Sequence, residues 1–409
     1  MLTDTDFLVL APNPWHDLWR NRQQIFSRLA GPNRVLYVEP HRASLTDWRR
    51  RRVDTGKFRE PIVVEEQPNL WLYRIPPWLP KRDTDGLFDR SSDHLLAIHL
   101  RRTLRHLGFS TRIAHSEIPH SRIPHPAFRT PHFPILWLYR PTHWRWAASS
   151  FPHSLLVYHI TDDYTAFGHL SARERQAMAE TERELLAAAD LTIVTAPRLI
   201  DLKGPAAKNI AWVPNGVDYR AFQQAVPLPL PATAGPILGY SGHISSRLDL
   251  PLLHALAVSR PAWQFIFAGS VSDAGCVDEL AALRALPNVH FLGLLPVEQV
   301  PQFTAACDVG LIPYRVNDET RAISSLKLYE FLAAGKPIVS ARVPAAEEHA
   351  DIVFVVNSSV EAWILGIEAA LASNGDPTAA AGRQCVAAAN TWEDRVEQIS
   401  GLVQDLLKL

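Results

Sequence analysis

The sequence predicts an α/β protein made of two doubly wound, Rossmann-like domains with parallel sheets. Short β-type apolar runs alternate with helical stretches of about 10–15 residues, the pattern of βαβ units. The alternation comes in two series, separated by the Pro-rich stretch AVPLPLPATAGP at 225–236. The length, 409 residues, exceeds one ordinary core at roughly 150 residues per domain. The expected division is a first domain at 1–222, a linker at 223–236, a second domain at 237–385, and a C-terminal helix at 386–409 that packs back towards the first domain.

In the first series the strands are expected at 7–11, 34–38, 70–74, 135–139, 155–160, 191–195 and 210–213. In the second they are expected at 237–241, 263–268, 289–292, 309–312, 337–341 and 352–356. Ser171 with Glu174 three residues on reads as a capping box opening a long helix. Val396, Ile399, Leu402, Val403, Leu406 and Leu407 give the last helix an amphipathic spacing. Asn215-Gly216 reads as a tight interdomain turn, since both residue types are able to take positive φ.

Composition excludes several classes. With 47% hydrophobic and 20% charged residues, the chain has apolar material for sizeable cores and too little charge for disorder. Three widely spaced cysteines, Cys276, Cys307 and Cys385, indicate neither a disulfide framework nor a cysteine zinc site, and point to a reducing, cytosolic compartment. The N-terminal segment lacks the basic region of a signal peptide, and no apolar run is long enough to cross a bilayer. Residues 1–150 hold 23 Lys and Arg against 14 Asp and Glu, a net of +9. Much of that excess is Arg49, Arg50, Arg51, Arg52, Lys57, Arg59, Arg101, Arg102 and Arg105, which suits either an anionic membrane surface or plain solvation. No nucleic-acid module accompanies it. His115, His120, His125 and His132 lie in or beside a Pro-rich stretch without ligand spacing, so no metal is expected.

The most informative segment is SSLKLYEFLAAGKPIVS, at 324–340. Ser325 reads as an N-cap, 326–334 as helix, Gly335 as the residue that ends it, and Pro337 as the start of the next strand. A helix N-terminus then faces the end of a strand, where free N–H groups and the helix dipole attract anions. Lys327 in the first turn adds a full charge suited to a diphosphate, and Glu330 can accept from two ribose hydroxyls. The plainer alternative is a surface ion pair between Lys327 and Glu330, with the serines merely capping.

This segment resembles the sugar-nucleotide motif of GT-B glycosyltransferases of the family 4 type, S-P-x-K-x-x-E-x-L-A-x-G-K-P-V-V. It departs at Leu326, where proline is common, and at Ala322, where retaining members carry the first glutamate of an E-x7-E pair; Asp318 and Glu319 lie nearby. Whether the outcome is retaining or inverting therefore stays open. ILGYSGHISSRLDL at 237–250 is similar to the opening of the donor domain, so that Gly242 and Arg247 match phosphate-contact positions. Gly293, Leu294, Pro313 and Tyr314 match strand ends that border the base. PNGVD at 214–218 is similar to the element that ends the first domain. The resemblance implies a GT-B fold with an interdomain cleft and Ser324, Ser325, Leu326, Lys327 and Glu330 on the donor.

In the first domain a buried-type strand runs into His159, Asp162 and Asp163, at the strand end where open α/β sheets bind ligands. A carboxylate or histidine there can take the proton of an attacking hydroxyl. LLVYHITDDYTAFG resembles a region of bacterial envelope glycosyltransferases, including those of xanthan and teichuronic acid synthesis. By that likeness Asp162 or Asp163 is the base of an inverting enzyme, or His159 stands where retaining relatives place a histidine near the donor sugar. The alternative is an Asx turn at Asp162 and a satisfied core histidine. Trp15, His16 and Arg22 follow the first strand and are candidates for the acceptor side, by ring stacking and anion pairing.

The expected function is transfer of a sugar from a UDP-, GDP- or dTDP-sugar to a hydroxyl of a glycan or lipid-linked acceptor. It needs no cofactor and no metal, and takes place in the cytoplasm or peripherally on the inner face of the plasma membrane in cell-envelope or exopolysaccharide synthesis. The rivals are a GT-B sugar-nucleotide epimerase and a non-catalytic sugar-nucleotide-binding protein.

Overall fold

The computed structural model describes residues 1–41, 59–79, 87–109, 133–166, 171–230 and 235–408, with backbone alone for 87–90. The basic run at 49–52, Lys57 and the histidines at 115, 120, 125 and 132 lie outside the described residues. The chain divides into two compact units: Met1–Asp17 with Asn21–Val213 and Val396–Leu409, and Leu18–Arg20 with Pro214–Arg395.

The first unit holds an eight-stranded sheet. Its strands are β1 (Asp6–Leu10), β2 (Arg34–Val38), β3 (Val63–Gln67), β4 (Leu70–Tyr73), β5 (Ile135–Leu138), β6 (Leu156–Ile160), β7 (Leu191–Val194) and β8 (Ile210–Trp212), in the order β3-β4-β2-β1-β5-β6-β7-β8. All pairs are parallel except β3 with β4. Six of the seven expected strands start or stop within one residue of the sequence reading, and β2 matches it fully, because near-continuous apolar runs mark strands buried on both faces. β3 was not expected. It is an edge strand whose Glu65 and Glu66 face solvent, so it has no apolar run to betray it. The capping box at Ser171 forms as read: the Ser171 side chain accepts from the Glu174 N–H, and the Glu174 carboxylate accepts from the Ser171 N–H at 2.9 Å, opening the helix Ala172–Ala188.

The second unit holds six parallel strands, β9 (Ile237–Ser241), β10 (Gln264–Ala268), β11 (Val289–Gly293), β12 (Val309–Ile312), β13 (Ile338–Ala341) and β14 (Phe354–Val356), in the order β11-β10-β9-β12-β13-β14. Its core is aliphatic and aromatic, with Leu238, Phe265, Leu311, Phe331, Ile338 and Trp363 fully enclosed. The last helix, Trp392–Leu407, buries Trp392, Val396, Ile399 and Val403, the apolar stripe visible in the sequence.

The two strand orders place the candidate sites. In each sheet the order reverses once, between β1 and β5 and between β9 and β12, and the crevice beyond the carboxyl ends of such a pair is where doubly wound sheets take ligands. At the second of these points the backbone is drawn close. The Gly242 N–H donates to Ala268 C=O at 2.7 Å, and Gly269 has φ +143° beside the Gly242 backbone. A Cβ at Gly269 would overlap that carbonyl, so Gly269→Ala is expected to lower stability by about 1–3 kcal/mol, read as a lower urea midpoint at unchanged m value.

Candidate functional site

In the second unit the helix Leu326–Ala333 directs its N-terminus to the reversal point. Lys327 is partly buried, and its Nζ donates to Tyr314 Oη at 3.1 Å while lying 4.9 Å from the Tyr240 ring centre and 5.7 Å from that of Tyr314. Tyr240 lies one residue before the end of β9 and Tyr314 follows β12, so the two strands flanking the reversal each supply one aromatic wall. Gly242, at φ +134°, leaves the room: a Cβ there would stand 2.6 Å from Lys327 Cε. Burial works against the Lys327 charge. The two phenols, the Tyr314 hydrogen bond and the Glu330 carboxylate favour it and raise its pKa above the usual lysine range.

Glu330 lies one turn along the same helix. Ser241 Oγ donates to its Oε2 at 3.3 Å, and burial raises its pKa, with Lys327 and Ser241 pulling the other way. Among the described residues Lys327 makes no ion pair within 4.0 Å, so the surface ion pair between Lys327 and Glu330 is not what this helix contains. A charge held by ring faces and a phenol keeps its field for an anion.

The remaining donor-side residues fall differently. Ser325 takes the N-cap position, but its side chain makes no capping bond, and its Oγ is buried without a partner among the described residues. Ser324 turns to Asn215, its Oγ accepting the Asn215 N–H at 3.2 Å and its carbonyl accepting Asn215 Nδ2 at 2.8 Å. Leu326 is the first helical residue and half-buried. Arg247 Nε pairs with Glu319 at 2.6 Å, so Glu319 neutralises the arginine, and Ala322 is fully buried. Gly293 is exposed at the end of edge strand β11, with its carbonyl accepting the Gly269 N–H. Asn215 and Gly216 do not use the positive φ open to such a pair. Gly216 is required by proximity instead, because a Cβ would meet the backbone of Thr391 and Trp392 at 2.8 Å.

In the first unit the reversal between β1 and β5 brings together Asn13, Arg22 and Tyr139. Arg22 Nη1 donates to Asn13 Oδ1 at 2.6 Å, and the guanidinium lies 5.2 Å from the Tyr139 ring centre. Arg22 is 3% exposed. Trp15 is a correction to the acceptor-side reading: it is 1% exposed, its ring packs edge-on to Tyr37 and its N–H donates to Glu39, so its face is closed to a sugar. His16 is exposed and pairs with Glu66 at 3.3 Å.

His159 is fully buried, stacked on Tyr139 at 5.1 Å, with neither ring nitrogen partnered among the described residues. Burial and the nearby Arg22 push its pKa down to about 3. A ring so enclosed and so weakly basic is a poor proton acceptor at neutral pH. Asp163 is committed to structure. Its Oδ1 accepts from Thr165 N at 3.1 Å and Thr165 Oγ1 at 2.7 Å, and from Lys203 Nζ at 2.9 Å. Burial would raise its pKa, but the Thr165 and Lys203 bonds outweigh it, and the value lies below the usual range. Lys203 also reaches Glu182 at 2.7 Å, which accepts from Tyr158 Oη at 2.8 Å. The Asx turn expected of Asp162 thus belongs to Asp163. Asp162 stands beside it, half-buried, with Thr161 Oγ1 donating to its Oδ2 at 3.3 Å.

Sequence reasoning did not single out Tyr240, Ser241, Tyr139 or Lys203, and read Asn215 only as part of a turn. Tyr240 and Ser241 sat in a strand whose end was identified, so the βα boundary held the signal. Lys203 lies 40 residues from Asp163 and left none. Among the described residues no group of three or more His, Cys, Asp and Glu is placed to hold a metal, and no helix is long and apolar enough to cross a membrane.

Residues 235–373 match the family Glycosyl transferases group 1. The chain is 30% identical over 241 residues to the putative teichuronic acid biosynthesis glycosyltransferase TuaH of Bacillus subtilis (strain 168), a match spanning 56% of this chain and 60% of that protein. In three dimensions it is similar to sucrose-phosphate synthase from Thermosynechococcus elongatus, with TM-score 0.69, 17% identity and 99% of both chains covered. It is also similar to Anabaena HepE, solved in complex with UDP and glucose, with TM-score 0.66, 15% identity, and 98% and 100% of the two chains covered. These likenesses identify the fold as GT-B.

Two consequences of this geometry are measurable. Lys203→Met leaves Glu182 and Asp163 buried without their cation, and is expected to lower stability by about 3–5 kcal/mol in equilibrium denaturation. Glu330 has a folded pKa above its unfolded value, so its contribution is fully present below the ordinary carboxylate range and is lost as pH rises through the folded pKa. Glu330→Gln should therefore match or exceed the wild-type melting temperature at pH 8, with the advantage vanishing towards pH 4.

Proposed function

We propose that this chain, which contains a glycosyl transferases group 1 domain at residues 235–373, moves a sugar from a nucleotide-diphosphate sugar to a hydroxyl of a glycan or lipid-linked acceptor. The observation that carries this reading is Lys327, a cation with no ion pair within 4.0 Å among the described residues, walled by Tyr240 and Tyr314 at a helix N-terminus, one turn from Glu330. As the sugar–phosphate bond breaks, negative charge grows on the leaving diphosphate. Lys327 and the first-turn N–H groups stabilise it electrostatically, which is the role a metal ion plays elsewhere, so the reaction is metal-independent. Glu330 accepts from the ribose hydroxyls, and Arg247, Tyr314 and the Gly242 turn border the phosphates.

The donor is a UDP-sugar, a choice supported by the HepE structure with UDP and glucose. Asp162 takes the acceptor proton, because Asp163 is held by Lys203 and Thr165 and His159 is enclosed and weakly basic. Cell-envelope polysaccharide synthesis is supported by the likeness to TuaH, and a lipid-linked or anionic acceptor by the net +9 of residues 1–150. That charge also favours a peripheral position on the anionic inner face of the plasma membrane.

Thermal-shift titration with UDP, GDP, dTDP and CDP and their monophosphates tests the donor site. UDP at a hundred times its Kd should stabilise the wild type by about 2.7 kcal/mol, and Lys327→Ala and Glu330→Ala should each remove the effect. A folded protein that responds to none of them has no such site. Transfer of label from UDP-glucose into membrane lipid tests the chemistry. Asp162→Asn should slow it about 10²–10⁴-fold with the UDP shift intact, and an unaltered rate removes Asp162 from that role. Donor turnover without any acceptor would favour an epimerase, and UDP binding without turnover a sensor.

A further inference from the structure

The Asn-Gly pair at 215–216 has the local signature of a turn, and its side chain does something a turn does not require. Asn215 is 7% exposed and makes a two-point contact with one residue 109 positions away: its N–H donates to Ser324 Oγ at 3.2 Å and its Nδ2 donates to the Ser324 carbonyl at 2.8 Å. Ser324 stands immediately before Ser325, the N-cap of the helix Leu326–Ala333. A peptide unit is planar and trans, so the carbonyl of one residue and the N–H of the next point in opposite directions. Fixing the Ser324 carbonyl on Asn215 therefore fixes the Ser325 N–H facing away from Asn215, before any ligand arrives.

Asn215 is itself anchored. Its carbonyl accepts from Arg395 Nε at 3.4 Å, and Arg395 Nη2 also donates to Asn390 Oδ1. Two residues on, the Val217 N–H donates to Asn390 C=O at 3.0 Å, and the Trp392 N–H donates to Val217 C=O at 3.2 Å. Gly216 lets the two segments approach this closely. The carboxamide thus projects from a doubly tied backbone, and its position does not depend on the loop it holds.

We propose that Asn215 is a positioning residue of the nucleotide site: by clamping the Ser324 carbonyl and hydroxyl, it presets the N–H groups that open the helix Leu326–Ala333 for a diphosphate. The inference rests on the reading of that helix N-terminus as the diphosphate site. Preorganised donors cost no reorganisation on binding, so the clamp acts on the terminal phosphate and not on the base or ribose.

The test compares nucleoside diphosphate with monophosphate affinity by calorimetry, in wild type, Asn215→Asp and Asn215→Ala. Asn215→Asp keeps the shape but removes the Nδ2 donor and sets a carboxylate oxygen against the Ser324 carbonyl. Asn215→Ala removes the amide without that repulsion and is the variant to rely on if the first does not fold. In wild type UDP should bind more tightly than UMP. In either variant UDP should weaken about tenfold and UMP by less than about twofold, so that the ratio collapses. A purely structural role would lower both affinities together or neither. An unchanged UDP-to-UMP ratio in a folded variant overturns the inference alone. A wild type that binds none of UDP, GDP, dTDP and CDP overturns the donor-site reading and this inference with it.

Discussion

The geometry around the helix Leu326–Ala333 depends on one ammonium group that, among the described residues, has no carboxylate within 4.0 Å. Lys327 is kept charged by two phenol rings and one phenolic oxygen, on a helix whose dipole already opposes a cation near its N-terminus. The two phenols and the Glu330 carboxylate outweigh the cost of burial, so the ammonium stays charged. Its position also explains the glycine at 242, since any side chain there would occupy the lysine's place, and the backbone crossing at Gly269, which keeps Gly242 where it is. Glu330 completes the pattern: a carboxylate kept from full hydration, held by a weak bond to Ser241 and raised in pKa by its burial. The two groups thus differ: the surroundings of Lys327 favour its charged form, and burial of Glu330 disfavours its own.

The first unit handles its charges in the opposite way. Lys203 meets two carboxylates, Glu182 takes a further bond from Tyr158, and Asp163 takes two from Thr165. A network so completely satisfied rigidifies what it touches. What it touches is the loop that follows β6: Asp163 ties that loop down, and Asp162 stands beside it, half-buried. His159, one strand position before the loop, is enclosed by Tyr139 and Trp137. Its companion groups are aromatic and cationic, so it is a neutral part of the packing at physiological pH.

The two units repeat one structural idea. Each has a sheet whose strand order reverses once, and at each reversal a cation lies on an aromatic face: Arg22 on Tyr139 between β1 and β5, Lys327 on Tyr240 and Tyr314 between β9 and β12. Side chains placed at a reversal are desolvated to different extents: Lys327 is half-buried and Arg22 only 3% exposed. Charged groups in such places act on ligands more strongly than on solvent.

The sequence by itself determined the α/β class, the two series of strands and the segment 324–340 as a helix N-terminus beside a strand end. These follow from patterns local to each segment: apolar runs of strand length, capping residues, and Gly and Pro at element boundaries. The edge strand β3 escaped because its burial is one-sided and its exposed positions are glutamates. Only the tertiary structure decided which candidate side chains are enclosed in the core and which are not. Trp15 and His159 have the residue types of a sugar-binding site and are enclosed, while Asn215 has the signature of a turn and holds Ser324. The bonds that decide these roles run between residues such as 163 and 203 or 215 and 324, whose separation along the chain carries no periodic or compositional trace. Local physics writes the elements into the sequence, and contacts across that distance exist only once the sheets have brought the strand ends together.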